Sequence, residues 1–498
     1  MTLISRLMGF ARDILLANLF GVNAATDAFF VAFKIPNFLR RLFAEGAFSH
    51  AFVPILSDLK SKGSQQVLKL FIDRSAGMLL VFLSLLTLLG ILAAPLLIMM
   101  FAPGFIWQGG QYQLSIQFLQ ITFPYLLFIT LTAFSGSILN AYGQFAIPAL
   151  TPVLLNIAMI LAAIFLAPLM AEPVTALAWG VLLAGLAQLL FQLPALIRLG
   201  LMPVPRWGFQ DQAVRKMAKA MLPAIFGVSV VQINLLVDTV FASFLPAGSV
   251  SWLYYSDRLV EFPLGIFGVA LSAAILPKLA DHHAAEDYRA FSAALDWGLK
   301  SVLLLALPAT LGLTLLAEPI IATLFQYQAF SATDTAMAAK SLAAFALGLL
   351  AFVVIKVLVS GFTARHDTQT PVRIGIYGVV GNIVLNALLL KPLAHAGPAL
   401  ATSLAAYLNA IWLLAVLLNS SHYQPAAGWW PFLLRIAFAN TVLAICLYQF
   451  VEADLWLGWA FSKRSLQLII SIALAVIVYA VSLWLSGFRL RQLVLRQH

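Results

Sequence analysis

Three groups of charged residues lie inside stretches that are otherwise apolar: Arg6, Arg12 and Asp13; Lys34, Arg40 and Arg41; and Asp257, Arg258 and Glu261. A charged side chain at the centre of a bilayer costs roughly 2.5–3.5 kcal/mol on insertion scales, so each group needs a water-filled or protein-lined reason to exist. The balance of the set is positive, which suggests an anionic cargo. Arginine suits a phosphorylated one, because its planar guanidinium stays charged and pairs bidentately with phosphate oxygens, as lysine cannot.

Helical spacing sorts these residues by face. Arg6 and Asp13 are seven apart and share a face while Arg12 projects elsewhere, with Gly9 between them allowing close packing or a bend. Asn37, Arg40 and Arg41 stand at i, i+3 and i+4, and Lys34 extends the same polar stripe by one turn. Asp257 and Glu261 are four apart with Arg258 three from Glu261, so all three can face one cavity. The acids would orient the arginines, limit their mutual repulsion and weaken binding enough for release. The competing reading is a set of buried ion pairs that only register helices. The unequal numbers of arginine and acid favour the cavity, since positive charge is left uncompensated.

The elements that position these groups are membrane helices. The 498 residues are 62% hydrophobic and only 10% charged, with a mean hydropathy of +0.97, far outside the soluble range. Apolar windows long enough to cross about 30 Å of hydrocarbon recur throughout. They fall near 2–20, 25–57 (long and broken), 75–101, 115–140, 148–169, 173–197, 218–246, 249–277, 298–322, 336–363, 372–390, 397–419, 431–451 and 465–487. The expected fold is an all-α polytopic membrane protein of fourteen transmembrane helices. Polar stretches at 57–74, 200–216 and 278–297 are long enough for connecting or interfacial helices. No cleavable signal peptide is visible, since Arg6 and Arg12 interrupt the first apolar segment. Trp429, Trp430 and Trp459 near span ends suit the aromatic belt.

Several function classes drop out. The single cysteine, Cys446, excludes an intrachain disulfide. No Walker A sequence, metal-binding Cys/His cluster, nucleophile elbow or paired catalytic carboxylates outside the apolar spans is present, so no enzyme is indicated and no cofactor is expected beyond a coupling ion. The net charge of +10 reflects topology rather than nucleic-acid binding. Of the lysines and arginines between spans, seventeen fall on one side, among them Lys60, Arg206, Lys278, Arg365, Arg489, Arg491 and Arg496, against Lys340, Lys391, Lys463 and Arg464 on the other. Both termini are therefore expected in the cytoplasm.

A shift of 223 residues lays Pro54 on Pro277 and Pro148 on Pro371, and also pairs Ala47 with Ala270, Asp58 with Asp281 and Ala141 with Ala364. A shift spanning six helices keeps orientation, so two six-helix lobes in a parallel pseudo-two-fold repeat are expected, with cargo handled between them. The lobes would be 1–199 and 200–420, leaving 421–498 as an appended C-terminal helix pair suited to part of an unusually long substrate. A second polar set, Asp238, Asn382, Asn386 and Thr402, offers oxygens for a sodium ion, or else hydrogen bonds between helices.

The runs SRLMGFARD (5–13), ATDAFFVAFKIPNFLRRLFAEGAFSHAFVPIL (25–56), SVSWLYYSDRLVEFPLGIFGVAL (249–271) and GSILNAYGQFAIPALTPVLLN (136–156) closely resemble the MurJ/MviN lipid II flippases of the multidrug/oligosaccharidyl-lipid/polysaccharide exporter superfamily. The resemblance implies a cationic cavity between two lobes, a lipid-tail groove formed with the last helix pair, and alternating access. The implied activity is flipping undecaprenyl-diphosphate-linked disaccharide-pentapeptide, lipid II, from the inner to the outer leaflet of the bacterial cytoplasmic membrane for peptidoglycan synthesis. Carried onto this chain, the implied cavity residues are Arg6, Arg12, Asp13, Asp27, Arg40, Arg41, Arg258 and Glu261, and the implied sodium site is Asp238, Asn382, Asn386 and Thr402. Membrane lipids and cell-wall synthesis and division proteins are the implied partners. Relatives carry further residues before the first helix, so a longer native N-terminus is expected. The alternatives are a cation-coupled exporter of drugs or other polyprenyl glycolipids, and a scaffold that binds lipid II without moving it.

Overall fold

The computed structural model describes residues 2–42, 48–62, 64–420, 423–451 and 456–489; Ala47, Arg491 and Arg496 lie outside these ranges. It is helical throughout, and no strand occurs among the described residues. The helices are α1 (Thr2–Phe20), α2 (Ala24–Arg40), α3 (Ser49–Lys62), α4 (Gln65–Leu92), α5 (Ala94–Phe101), α6 (Gln111–Thr122), α7 (Tyr125–Ala141), α8 (Ala146–Leu161), α9 (Thr175–Arg198) and α10 (Gln212–Ala242). There follow α11 (Ser249–Pro263), α12 (Val269–Ala284), α13 (Tyr288–Leu315), α14 (Ala317–Leu324), α15 (Ala332–Ala364), α16 (Gln369–Leu393), α17 (Ala396–Asn419), α18 (Trp429–Phe450) and α19 (Phe461–Leu485). By contacts the chain divides into two compact units, Met1–Ser251 and Trp252–His498.

Eleven helical stretches among the described residues are long and apolar enough to cross a membrane, and each overlaps one of the expected windows, although Gln65–Leu92 and Tyr288–Leu315 begin ten residues before the windows expected at 75–101 and 298–322. The windows at 2–20, 25–57 and 218–246 are the other three. In α1 the charge is the reason, since it carries Arg6, Arg12 and Asp13, whereas α2 is short at 17 residues and also carries Asp27, Lys34 and Arg40.

Local sequence sets the helix ends. Asn23, extended at φ −157°, accepts at its side-chain oxygen from the Ala25 and Thr26 amides while its own backbone N–H donates to Thr26 Oγ1, a capping box that starts α2. Asp211 caps α10, Asp287 caps α13, and Ser331 with Asp334 forms a second capping box at α15. The stretch at 200–211 is not helical, contrary to the expected connecting helix. Pro203 and Pro205 remove two amide donors there and bias the preceding residues to extended backbone.

Element boundaries recur at the shift read from the sequence. Gln65–Leu92 and Tyr288–Leu315 begin and end 223 residues apart, as do Ala94–Phe101 and Ala317–Leu324. Pro148 and Pro371 each occupy the third position of their helix, α8 and α16.

The shift also relates two buried carboxylates, Asp73 on α4 and Asp296 on α13. Asp73 Oδ1 accepts from the Val204 amide at 2.9 Å and from Lys69, while its backbone oxygen accepts from the Arg206 amide at 3.1 Å. The strap 200–211 is thus held against α4. Gly77 lets it lie there, since a Cβ would stand 2.0 Å from the Arg206 carbonyl oxygen. Asp296 does the same for the segment entering α18: it accepts from Tyr423 Oη at 2.5 Å, the Ala426 amide at 2.7 Å and Trp429 Nε1 at 3.0 Å. Trp429 is therefore a structural donor as well as a ring near a span end.

Asp296→Ala strands three donors and is expected to cost on the order of 3 kcal/mol, against about 1 kcal/mol for Tyr423→Phe, read as thermal unfolding in detergent. A second expectation concerns Asp211, whose carboxylate accepts from Arg74 at 2.5 Å. Burial works to raise this carboxyl, but the Arg74 hydrogen bond and the Val214 and Ala213 amides pull it below its ordinary value. A lowered folded value means stability that is present above the unfolded carboxylate range, about 3.9, and is lost as pH falls through the folded value. Asp211→Asn should lower the melting temperature at pH 7 and shrink its further fall on acidification.

Candidate functional site

In the first unit the expected cavity residues take several distinct environments. Arg12 is buried, 3% exposed, and Asp13 is 0% exposed. Arg12 Nε and Nη2 donate to Asp13 Oδ1 at 2.9 and 2.5 Å, and Nη1 donates to Asn156 Oδ1 on α8 at 3.0 Å. The expectation that Arg12 projects away from Asp13 is corrected here: the flexible arginine arm folds back onto its sequence neighbour, and the pair fills the packing between α1 and α8. Asn156 supplies the second acceptor, a role its place in an apolar run did not signal. Arg6, by contrast, is exposed.

Asp27 is buried, and its two carboxylate oxygens accept from the Gly248 amide at 2.6 Å, the Ser251 amide at 2.8 Å and Ser251 Oγ at 2.5 Å. It caps the start of α11 from a distant helix, stabilised by the positive end of that helix's dipole. Lys34 Nζ donates to Thr239 Oγ1 on α10 at 2.6 Å. Arg40 and Arg41, at the end of α2, remain half-buried; Arg40 Nε donates to Asn37 Oδ1 at 2.9 Å, as their i, i+3 spacing predicts. The Arg41 amide closes α2 onto the Asn37 and Phe38 carbonyls. Arg40 also lines a cavity of the first unit together with residues of α7, α8 and α9.

In the second unit α11 presents two faces. Ser256 Oγ donates to the Ala338 carbonyl on α15 at 2.7 Å, and Trp252 Nε1 donates to Asp334 at 2.9 Å, so this side is committed to packing. The charged side carries Asp257, Arg258 and Glu261, all half-buried. Arg258 Nη1 pairs with Glu261 Oε2 at 2.9 Å, with 35% and 38% of their side chains exposed. A pair that keeps this much solvent contact can exchange partners with a ligand at little cost.

Asn382 and Asn386 are fully buried on α16. Asn386 Nδ2 donates to Asn382 Oδ1 at 2.9 Å, and Thr402 Oγ1 on α17 donates to the same oxygen at 3.5 Å. Oxygen donors do gather here, but Asn382 Oδ1 already serves two of its neighbours. Asp238 belongs to α10 of the first unit. No group of three or more His, Cys, Asp or Glu able to hold a metal occurs among the described residues.

The class of protein follows from this architecture and its likenesses. An inward-facing multidrug resistance transporter of the MATE family in the MOP superfamily superposes with a TM-score of 0.71 over 84% of this chain and 95% of its own, at 15% identity, which identifies the fold. A lipid II flippase MurJ in an inward closed conformation superposes with a TM-score of 0.83 at 28% identity, covering 99% of this chain and 98% of its own. The profile of the family described as lipid II flippase MurJ matches residues 16–457. Among curated relatives, a probable lipid II flippase MurJ of Vibrio cholerae is 46% identical over 99% of this chain and 95% of its own length. The lipid II flippase MurJ of Burkholderia cenocepacia is 40% identical over 98% and 96%. The chain belongs to the MurJ lipid II flippase family.

The geometry of Arg12 yields a mutational expectation. Arg12→Ala takes two hydrogen bonds and the adjacent opposite charge from a buried carboxylate and should destabilise the protein by roughly 3–5 kcal/mol, whereas replacing both partners with apolar residues should recover most of that loss. Thermal unfolding of Arg12→Ala beside Arg12→Met/Asp13→Leu checks this, and an undiminished melting temperature in the single variant would refute it.

Proposed function

We propose that this protein flips lipid II from the inner to the outer leaflet of the bacterial cytoplasmic membrane, and that it does so as a transporter rather than an enzyme. Its full-length membership of the flippase family carries the reading. The placement of Arg40, Arg41, Arg258 and Glu261 on partly exposed helix faces supports it. In this reading the eleven apolar spans are joined by α1, α2 and α10 to give fourteen. The chain is organised as lobes 1–199 and 200–420 with the pair 421–498. Both termini are cytoplasmic, as the excess of lysine and arginine on one side suggests.

The arginines take the diphosphate by charge-assisted hydrogen bonds while the prenyl chain stays in a groove of α18 and α19. Glu261, paired with Arg258, competes with the phosphate and keeps binding reversible. The repeat supports rocking of one lobe against the other as the means of alternating access. Asp13 and Asp27 act through position, the first by neutralising Arg12 and the second by fixing the start of α11. Arg6, Lys34, Asn37 and Asp257 line the approach. The oxygens of Asp238, Asn382, Asn386 and Thr402 are those that would hold a coupling sodium ion.

Arg40→Ala and Arg258→Ala are each expected to abolish complementation of a flippase-depleted cell while folded protein persists in the membrane. Full complementation by both would sink the assignment. A leaflet-accessibility assay for lipid II in depleted cells separates a flippase from a lipid-binding scaffold, since a scaffold leaves translocation intact. The same assay in sodium-free medium tests the ion: an unchanged rate removes the sodium site.

A further inference from the structure

Arg464 lies near the start of α19 and is only 5% exposed. Its guanidinium reaches the turn that joins α14 to α15, where Nη1 donates to the Ala322 carbonyl at 2.9 Å and the Gln326 carbonyl at 3.2 Å. Nη2 donates to the Leu457 carbonyl at 2.7 Å. The Ala322 carbonyl belongs to the last turn of α14, where carbonyls have no partner within the helix and the negative end of the helix dipole favours a cation. The next carbonyl, of Thr323, is taken by Tyr327 Oη at 2.9 Å, and Arg464 Cζ lies 5.5 Å from the centre of the Tyr327 ring. Carbonyls approached in two directions suit a rigid fork of donors rather than a single ammonium. The turn at 325–330 is thus held from α19.

The other side of the same turn meets α11. Phe325 and Phe330 are buried with ring centroids 5.9 Å apart, and the buried Tyr255 ring of α11 packs on both, at 5.1 and 5.8 Å. Aromatic contacts at such separations depend on ring orientation, so the two phenylalanines hold Tyr255 in place. Trp252, three residues earlier on α11, is fixed by Asp334 just beyond the turn. Arg258 follows three residues after Tyr255, about 4.5 Å further along the helix axis. All of these residues belong to the second unit.

We infer that Arg464 is a positioning residue for Arg258: by clamping the 325–330 turn it seats Phe325 and Phe330 on Tyr255 and so fixes where α11 carries its guanidinium. The inference rests on the reading that Arg258 takes phosphate, and adds to it a buried residue of the last helix that acts without meeting the ligand. The helix assigned to the prenyl chain is thereby tied to the helix assigned to the diphosphate.

A double-mutant cycle tests this, with binding of undecaprenyl diphosphate to the purified full-length protein measured beside the melting temperature. Arg464→Met, Phe330→Leu and Arg258→Gln are made singly, and the first two also in the Arg258→Gln background. Arg464→Met is expected to weaken binding about tenfold in the wild-type background and by less than about twofold once Arg258 is gone. Phe330→Leu, which leaves every Arg464 hydrogen bond in place, should weaken binding about threefold and lose that effect in the same way. A lowered melting temperature with unchanged affinity would make Arg464 structural only, and equal losses in both backgrounds would place its effect elsewhere; either result overturns the inference. If Arg464→Met does not fold, the Phe330→Leu cycle decides. Wild-type affinity in Arg258→Gln is a separate outcome, and it overturns the phosphate reading itself.

Discussion

In hydrocarbon no water is at hand to satisfy a polar group, and every other feature of this structure answers to that constraint. Backbone donors and acceptors are met within helices, so the fold is helical wherever it is described. Side-chain charges then divide into two populations. Arg12 with Asp13, Asp27, Asp73, Asp296 and Arg464 are buried and given several partners each; Arg464, for instance, donates to the Ala322, Gln326 and Leu457 carbonyls. Arg40, Arg41, Arg258 and Glu261 stay partly exposed. The first population fixes helices in place, and the second keeps part of its surface open.

Helix α11 shows how one element serves both ends. Its start is fixed by Asp27 and its packing side by Ser256 and Trp252. Those constraints set the rotation of the helix about its axis, and hence where Arg258 and Glu261 point. The path from residue type to geometry is therefore indirect here: a carboxylate on α2 helps set the aim of a guanidinium on α11.

Much of this was legible in the sequence because it depends on periodicity and composition. The apolar windows, the polar stripe of Asn37 and Arg40, and the shift of 223 residues are of this kind, and the bounds of α4 and α5 recur in α13 and α14 at that shift. What was not legible depends on the reach of single side chains across tertiary structure. Arg12 and Asp13 diverge on a helical wheel, yet the arginine arm is long enough to close the pair. Asp73 and Asp296 lie within the polar stretches 57–74 and 278–297 and look solvated; only their equivalence under the repeat could have marked them. The strap at 200–211 was missed although Pro203 and Pro205 argue against a helix there. Which arginines keep their exposure could not be read from spacing, because exposure is set by the neighbouring helices.

The held strap has a mechanical consequence. A free connection from the end of α9 at Arg198 to the start of α10 at Gln212 would have thirteen residues of play. With Val204 and Arg206 bonded to Asp73, and Asp211 bonded to Arg74, the stretch between these anchors shrinks to the four residues 207–210, within which the Phe209 carbonyl accepts from Arg215 Nε at 2.8 Å. At roughly 3.3–3.6 Å per residue that is a short tether. A displacement of α4 is thereby passed to the head of α10 almost without slack, so the connection works as a stiff coupling rod rather than a loose cord.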